Sequence, residues 1–253
     1  MLAFLNRFLK PSIMTPFVPE GARAYVIGDV HGCDTKLQSL LKIIQEDIAT
    51  SPPVDDIYLV LLGDLIDRGP NSKSVVETLI SLNYPHITPI FLLGNHEKIF
   101  LDVLSGEISK LNAWMSFGGK ATCRSYNVTN LGAIHYAPEK IVSKLQASVP
   151  KEHIEFLRTF KDYWVLGDYM FVHAGIRPGR ALSKQTKKDL LWIREPFLSS
   201  RSRHQHMIVH GHSIVKEAEF HINRIAIDTG AYNGGALTCL RLQGSTQSTL
   251  QSA

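Results

Sequence analysis

From Arg23 onward the chain alternates short apolar runs with stretches whose apolar residues recur at helical spacing. "RAYVIGD" (23–29), "IYLVLLGD" (57–64) and "ITPIFLLGN" (87–95) are apolar and β-branched enough for buried strands. Between the first two, Leu37, Leu40, Leu41 and Ile44 predict a helix that Asp34 caps and that runs to about Asp47. Val75, Val76, Leu79 and Ile80 predict the inward face of a second helix, from about Asn71 or Ser72 to Leu82. This β-α-β-α-β rhythm implies right-handed crossovers within one sheet. From about Glu97 to Phe160 the pattern is mostly helical and less regular, with the turn-like "SFGGKATCRSYN" and a helix from about Lys151. The last third changes period. "YWVLGDYMFVHAG", "HMIVHGH", "EFHINRIAIDTG" and "ALTCLRL" read as short strands joined by tight turns such as "LGDY" and "HINR". Two sheets packed face to face with helices outside satisfy both halves. The predicted fold is therefore α/β (α+β), a central β-sandwich of two mixed sheets flanked by helices. One domain is expected over 21–243, after an N-terminal extension over 1–20. The polar ending "GSTQSTLQSA" predicts a disordered tail over 244–253.

Composition narrows the class without naming it. At 253 residues, 44% hydrophobic and 20% charged, the balance is that of a soluble globular protein. A net charge of +4, scattered along the chain, is too mild to suggest nucleic acid. Cys33, Cys123 and Cys239 are odd in number and far apart, with no CxxC pair, which fits reduced thiols and a cytoplasmic location. "MLAFLNRFLKPS" is broken by Asn6 and Arg7 and lacks a small-residue cleavage site, so it does not read as a signal peptide. Leu2, Leu5 and Leu9 share a helical face with Phe8 nearby, but a loosely packed extension is the simpler expectation. No segment approaches the roughly 18 apolar residues of a membrane span.

The chemistry gathers at the strand endings. "VIGDVHG" ends in Asp29 and His31, "VLLGDLIDRGP" in Asp64, Asp67 and Arg68, and "FLLGNHE" in Asn95 and His96. "FVHAG" ends in His173, and "IVHGH" in His210 and His212. In sheet-based α/β folds, ligands bind outside the carboxyl ends of strands, where residues far apart in sequence converge. Each residue taken singly is an ordinary turn, cap or hydrogen-bonded histidine. Taken together they would bury several carboxylates in one place, which is costly without cations. Mixed oxygen and imidazole donors suit Mn²⁺, Fe or Zn²⁺ better than an all-oxygen Mg²⁺ or Ca²⁺ site, and the lack of cysteine ligands argues against structural zinc. Six candidate ligands suit two ions sharing one carboxylate.

With GDVHG (28–32), GDLIDRG (63–69), GNHE (94–97), HAG (173–175) and GH (211–212) in this order, the sequence resembles the PPP-type metallophosphatases of the calcineurin-like metallophosphoesterase fold. HAGIRPG (173–179), LLWIREPF (190–197) and DTGAYNGG (228–235) place it nearest the bacterial serine/threonine phosphatases. The resemblance implies that Asp29 and His31 bind a first divalent metal, that Asp64 bridges both, and that Asn95, His173 and His212 bind the second. It implies a bridging hydroxide attacking phosphorus in line, His96 as leaving-group acid, Asp67 orienting it, and Arg68 holding phosphate. Arg194 is the choice for a second arginine over its neighbours Arg201 and Arg203. Manganese is the expected metal. The implied substrate is a phosphoprotein or phosphopeptide, and no regulatory subunit can be inferred. A dinucleoside polyphosphate such as diadenosine tetraphosphate is the alternative. The dinucleotide hydrolases typically carry Ala at the position of Asp67, although some relatives with DRGP cleave dinucleotides. Where eukaryotic members have a SAPNYC-like loop, this chain has DTGAYNGG, in which Tyr232 is placed to line the site. Trp114–Gly119 reads either as substrate wall or as a turn covering the core.

Overall fold

The computed structural model describes residues 15–132 and 137–252. The helical face expected over Leu2, Leu5 and Leu9, with Phe8 nearby, lies outside the described residues.

Three βα steps build the first half. β1 (Ala22–Ile27) and β2 (Asp56–Leu61) pair in parallel, as do β2 and β3 (Ile87–Phe91). The crossovers are α1 (Asp34–Thr50) and α2 (Ser72–Ile80). β9 (Thr238–Gln243) returns antiparallel to β1, and β10 (Thr246–Gln251) closes the edge, giving the order β10-β9-β1-β2-β3. The second sheet is ordered β4-β5-β6-β8-β7. Its strands are β4 (Tyr163–Leu166), β5 (Tyr169–Val172), β6 (Met207–His210), β7 (Glu219–Phe220) and β8 (Arg224–Ala226). The expected sandwich of two mixed sheets with helices outside is what forms.

Alternation along β1 shows why. Ala24 and Val26 enter the layer between the sheets, with Val60, Phe171, Val209, Ile225 and Leu240. Tyr25 and Ile27 face the other way and pack beneath α1 and α2, with Leu37, Leu40, Val75 and Val76. A period of two thus serves two apolar layers at once. The middle of the chain adds α3 (Asn95–Leu104), α4 (Leu111–Trp114), α5 (Lys120–Ser125), α6 (Pro138–Ser148) and α7 (Lys151–Arg158), and α8 (Lys187–Trp192) packs on the second sheet. All three cysteines are free. Among the described residues no helix is long and apolar enough to cross a membrane.

Three local expectations are corrected. The tail is not wholly irregular, since 246–251 form β10: Gly244 at φ 54° and Ser245 make a two-residue hairpin loop, and Leu250 packs on the core. Asp34 does not cap α1; its carboxylate accepts from Gln38 and Thr78 side chains, and the helix continues past Asp47 to Thr50. Ile80, expected inward, is 39% exposed at the last residue of α2, and the helix stops short of the expected Leu82.

Candidate active site

The loops that leave β1, β2, β3, β5 and β6 meet at one edge of the sandwich. Their backbone is unusual. Of the seven non-glycine residues with positive φ among those described, five are His31, Asp64, Asp67, Arg68 and His212. Left-handed backbone costs a non-glycine residue energy, so its concentration here marks side chains aimed by the surrounding fold rather than by local preference. Glycines let the loops close on one another. A Cβ on Gly94 would stand 2.2 Å from the Asp64 amide nitrogen, and one on Gly211 would stand 2.0 Å from Asp29 Oδ1.

Glu97 ties these loops together. Its fully buried carboxylate accepts the N–H groups of Asp64, Leu65 and Ile66 at 2.8, 2.8 and 3.2 Å, and that of Gly94 at 3.1 Å. Glu97→Ala would strand these four buried donors, and the expected loss is about 3–5 kcal/mol, at about 1–3 kcal/mol per unsatisfied group with partial relaxation. Urea unfolding checks this; a loss under about 1 kcal/mol would show that water replaces the carboxylate at little cost.

Around this frame the predicted ligands converge. His31 Nδ1–H donates to the Ile66 carbonyl at 2.8 Å, which leaves the Nε2 lone pair buried, without a hydrogen-bond partner, 3.6 Å from Asp64 Oδ2. His173 Nδ1–H donates to the Leu62 carbonyl at 2.9 Å. Its Nε2 lone pair then faces Asn95 Oδ1 at 2.8 Å, His212 Nδ1 at 3.2 Å and Asp64 Oδ1 at 3.4 Å. Acceptors facing acceptors, with no proton between them, are what a cation site looks like from its donor set. Two such groups can be formed among the described residues, His31 with Asp64 and His96, and Asp64 with His173 and His212. Asp29 accepts the His212 N–H at 3.2 and 3.1 Å, beside the buried Asp228. Burial, with Asp228 and Asp64 nearby, pushes the Asp29 carboxyl well above the usual range, and burial holds His31 and His212 down at about 3. Carboxylates lacking countercharge beside neutral imidazoles fit divalent ions, and the donor set fits two of them sharing Asp64.

His96 stands beside these donors but is held differently. Its Nδ1 bonds Asp67 Oδ2 at 2.7 Å, and Asp67 is fixed by Trp114 Nε1–H at 2.8 Å and Thr122 Oγ1–H at 2.5 Å. Burial alone would lower the imidazole, but the Asp64 and Asp67 carboxylates raise it above its ordinary value. Arg68 donates its N–H to the Gly118 carbonyl at 3.2 Å and an Nη2 hydrogen to His96 Nε2 at 3.3 Å. The segment Trp114–Gly119 divides: Trp114 is buried against Asp67, while Phe117, 40% exposed, lines the cleft. That cleft, of about 440 Å³, also has Arg68, Asn95, His96, His212 and Arg194 in its walls. Arg203 lines a separate cavity with Arg180, and Arg201 lines neither, so Arg194 alone of the three faces the cleft. Arg177, also in the wall, is paired with Asp189 at 2.7 Å. His210 packs edge-on against Phe197 at 5.0 Å instead of joining its neighbour His212.

Glu97, Thr122 and Asp228 were not singled out from the sequence as parts of the site, nor was the bond from Trp114 to Asp67. For Glu97 the signal was its place in GNHE; for Asp228 it was another apolar strand ending in Asp, "IAIDTG".

A calcineurin-like phosphoesterase family model matches residues 22–239. The chain is 29% identical over 85% of its length to a bis(5'-nucleosyl)-tetraphosphatase PrpE of Anoxybacillus flavithermus, covering 89% of that protein. It is 32% identical over 87% of its length to serine/threonine-protein phosphatase 1 of Salmonella typhimurium, covering 91% of that protein. Among solved structures, one provisionally assigned as a diadenosine tetraphosphatase superposes with a TM-score of 0.64 at 20% identity, over 95% of both chains.

Proposed function

Because the chain belongs to the calcineurin-like phosphoesterase family, we propose that it is a metal-dependent phosphomonoester hydrolase acting on phosphoserine or phosphothreonine in proteins. Asp29, His31 and Asp64 would hold one divalent ion, and Asp64, Asn95, His173 and His212 the other, with manganese suited to the mixed donors. When bound, the pair supplies an activated water and Lewis-acid stabilisation of the phosphoryl oxygens. Arg68 and Arg194, both in the cleft wall, would bind the equatorial oxygens, with planar guanidinium geometry suited to them. As Arg68 turns to the phosphoryl group it leaves the His96 Nε2 lone pair, which takes up a proton from solvent and then delivers it to the departing oxygen. Asp67 keeps the imidazole aimed and favours its protonated form.

The observation that carries this reading is the buried Asp67–His96 pair at 2.7 Å, steadied by Trp114 and Thr122. A serine alkoxide is a poor leaving group and gains most from a positioned acid. A nucleotide phosphate departs as a stable anion and gains little. The PrpE relative favours the second reading, hydrolysis of a dinucleoside polyphosphate. With Mn²⁺ supplied and metal-free protein as control, kcat/KM is to be compared on a phosphoserine peptide, a phosphotyrosine peptide and diadenosine tetraphosphate. Preference for phosphoserine is expected. Preference for the dinucleotide would replace the first reading with the second.

A further inference from the structure

Arg68 carries the charge that would meet a phosphoryl group, yet among the described residues no carboxylate pairs with it. Its partners are neutral. Nε donates to the Phe117 carbonyl at 3.4 Å, Nη2 to His96 Nε2 at 3.3 Å, and the guanidinium carbon stands 4.7 Å from the centre of the Tyr232 ring. A π face attracts a cation without cancelling its charge, and it imposes little direction, so the guanidinium can turn while it stays anchored.

Tyr232 sits on a turn that is fixed from outside. Asp228 Oδ1 accepts the Gly230 N–H at 3.0 Å, and Gly230 (φ 67°) and Gly234 (φ 86°) reverse the chain on either side of the ring. Lys36, in the first turn of α1, sends its ammonium to both ends of the 231–235 turn, donating to the Ala231 carbonyl at 2.8 Å and the Gly235 carbonyl at 2.5 Å. Like Arg68, Lys36 has no acidic partner among the described residues, so its hydrogen bonds are given to backbone carbonyls.

We propose that Lys36 and Tyr232 are positioning residues for Arg68: the ammonium clamps the 231–235 turn, and the turn presents the ring on which the guanidinium rests as its N–H groups pass from His96 to a phosphoryl oxygen. This rests on the reading of Arg68 as a phosphate-holding residue.

The test uses metal-loaded protein with para-nitrophenyl phosphate as substrate and inorganic phosphate as competitive inhibitor. Tyr232→Leu should weaken phosphate inhibition by about 3- to 30-fold, the range of a partly buried cation–π contact. Tyr232→Phe keeps the ring face and should restore inhibition to within about twofold. Lys36→Met should act in the same direction as Tyr232→Leu but less, by about 2- to 10-fold, because the turn keeps its own hydrogen bonds. In an Arg68→Ala background the Tyr232→Leu step should vanish, which a general loosening of the fold would not produce. Metal content should stay at the parent level, separating this role from the edge-on contact of Tyr232 with His31 at 5.1 Å. Unchanged inhibition in Tyr232→Leu, a loss that Phe does not restore, a loss that persists without Arg68, or one that tracks lost metal would each overturn the proposal. If Arg68→Ala itself leaves phosphate inhibition intact, the phosphate-holding reading of Arg68 falls and the brace falls with it.

Discussion

Replacing His96 by Asn should lower kcat on a phosphoserine peptide by about 10²–10⁴-fold while both metals stay bound. The leaving group decides the size of the effect. An activated phenolic phosphate departs without needing a proton, so the same variant should lose much less on it. The geometry makes the metal measurement necessary. His96 Nε2 lies 3.7 Å from Asp64 Oδ2, within the same donor group as His31, so distance alone admits it as a ligand. What argues for an acid is the other nitrogen, which bonds a carboxylate that is itself held by an indole and a hydroxyl. A ligand would show itself as lost metal in His96→Asn. An acid leaves the metals in place and loses rate in proportion to the need for a proton. Equal losses on the two substrates would sink the acid role.

The second large effect is expected at Asp64. Its two oxygens face different partners, Oδ2 the ring nitrogens of His31 and His96 at 3.6 and 3.7 Å, and Oδ1 that of His173 at 3.4 Å. No other carboxylate stands between both groups of imidazoles among the described residues. Asp64→Asn removes the charge and puts an N–H donor against one of the groups. Metal affinity should then fall by more than about 100-fold, beyond the 10–100-fold typical of losing a residue that only orients a ligand. Titrating Mn²⁺ into apoprotein with elemental analysis reads this directly. Two ions bound at parental affinity would refute the shared-carboxylate reading.

The strand endings were legible because each needs a residue type that few others can replace: a carboxylate or imidazole where acceptors gather, a glycine where backbones nearly touch. The two apolar periods gave the layers for the same reason, since a strand buried on both faces cannot hide its composition. The clamp by Lys36 was not legible. It joins residues 195 and 199 positions apart, and nothing about a lysine on a helix says which carbonyl it will reach. The support of Asp67 by Trp114 and Thr122 depends on the path of the α4–α5 turn, which the irregular middle of the chain leaves undetermined. β10 was missed because its Thr, Gln and Ser residues look like tail composition, and the Gly244–Ser245 pair that forms its hairpin loop reads as part of the tail with them.

The carboxylate of Glu97 has a consequence for supply. One carboxyl group holds both the backbone that carries Asp64 and the start of the helix that carries Asn95, so two of the proposed metal donors are tied to each other by the protein's own hydrogen bonds. Glu97→Ala is therefore expected to disturb metal affinity as well as stability, although Glu97 is not among the proposed donors. Mixed oxygen and nitrogen donors set in this way suit several transition metals, so under the proposed function occupancy would follow availability.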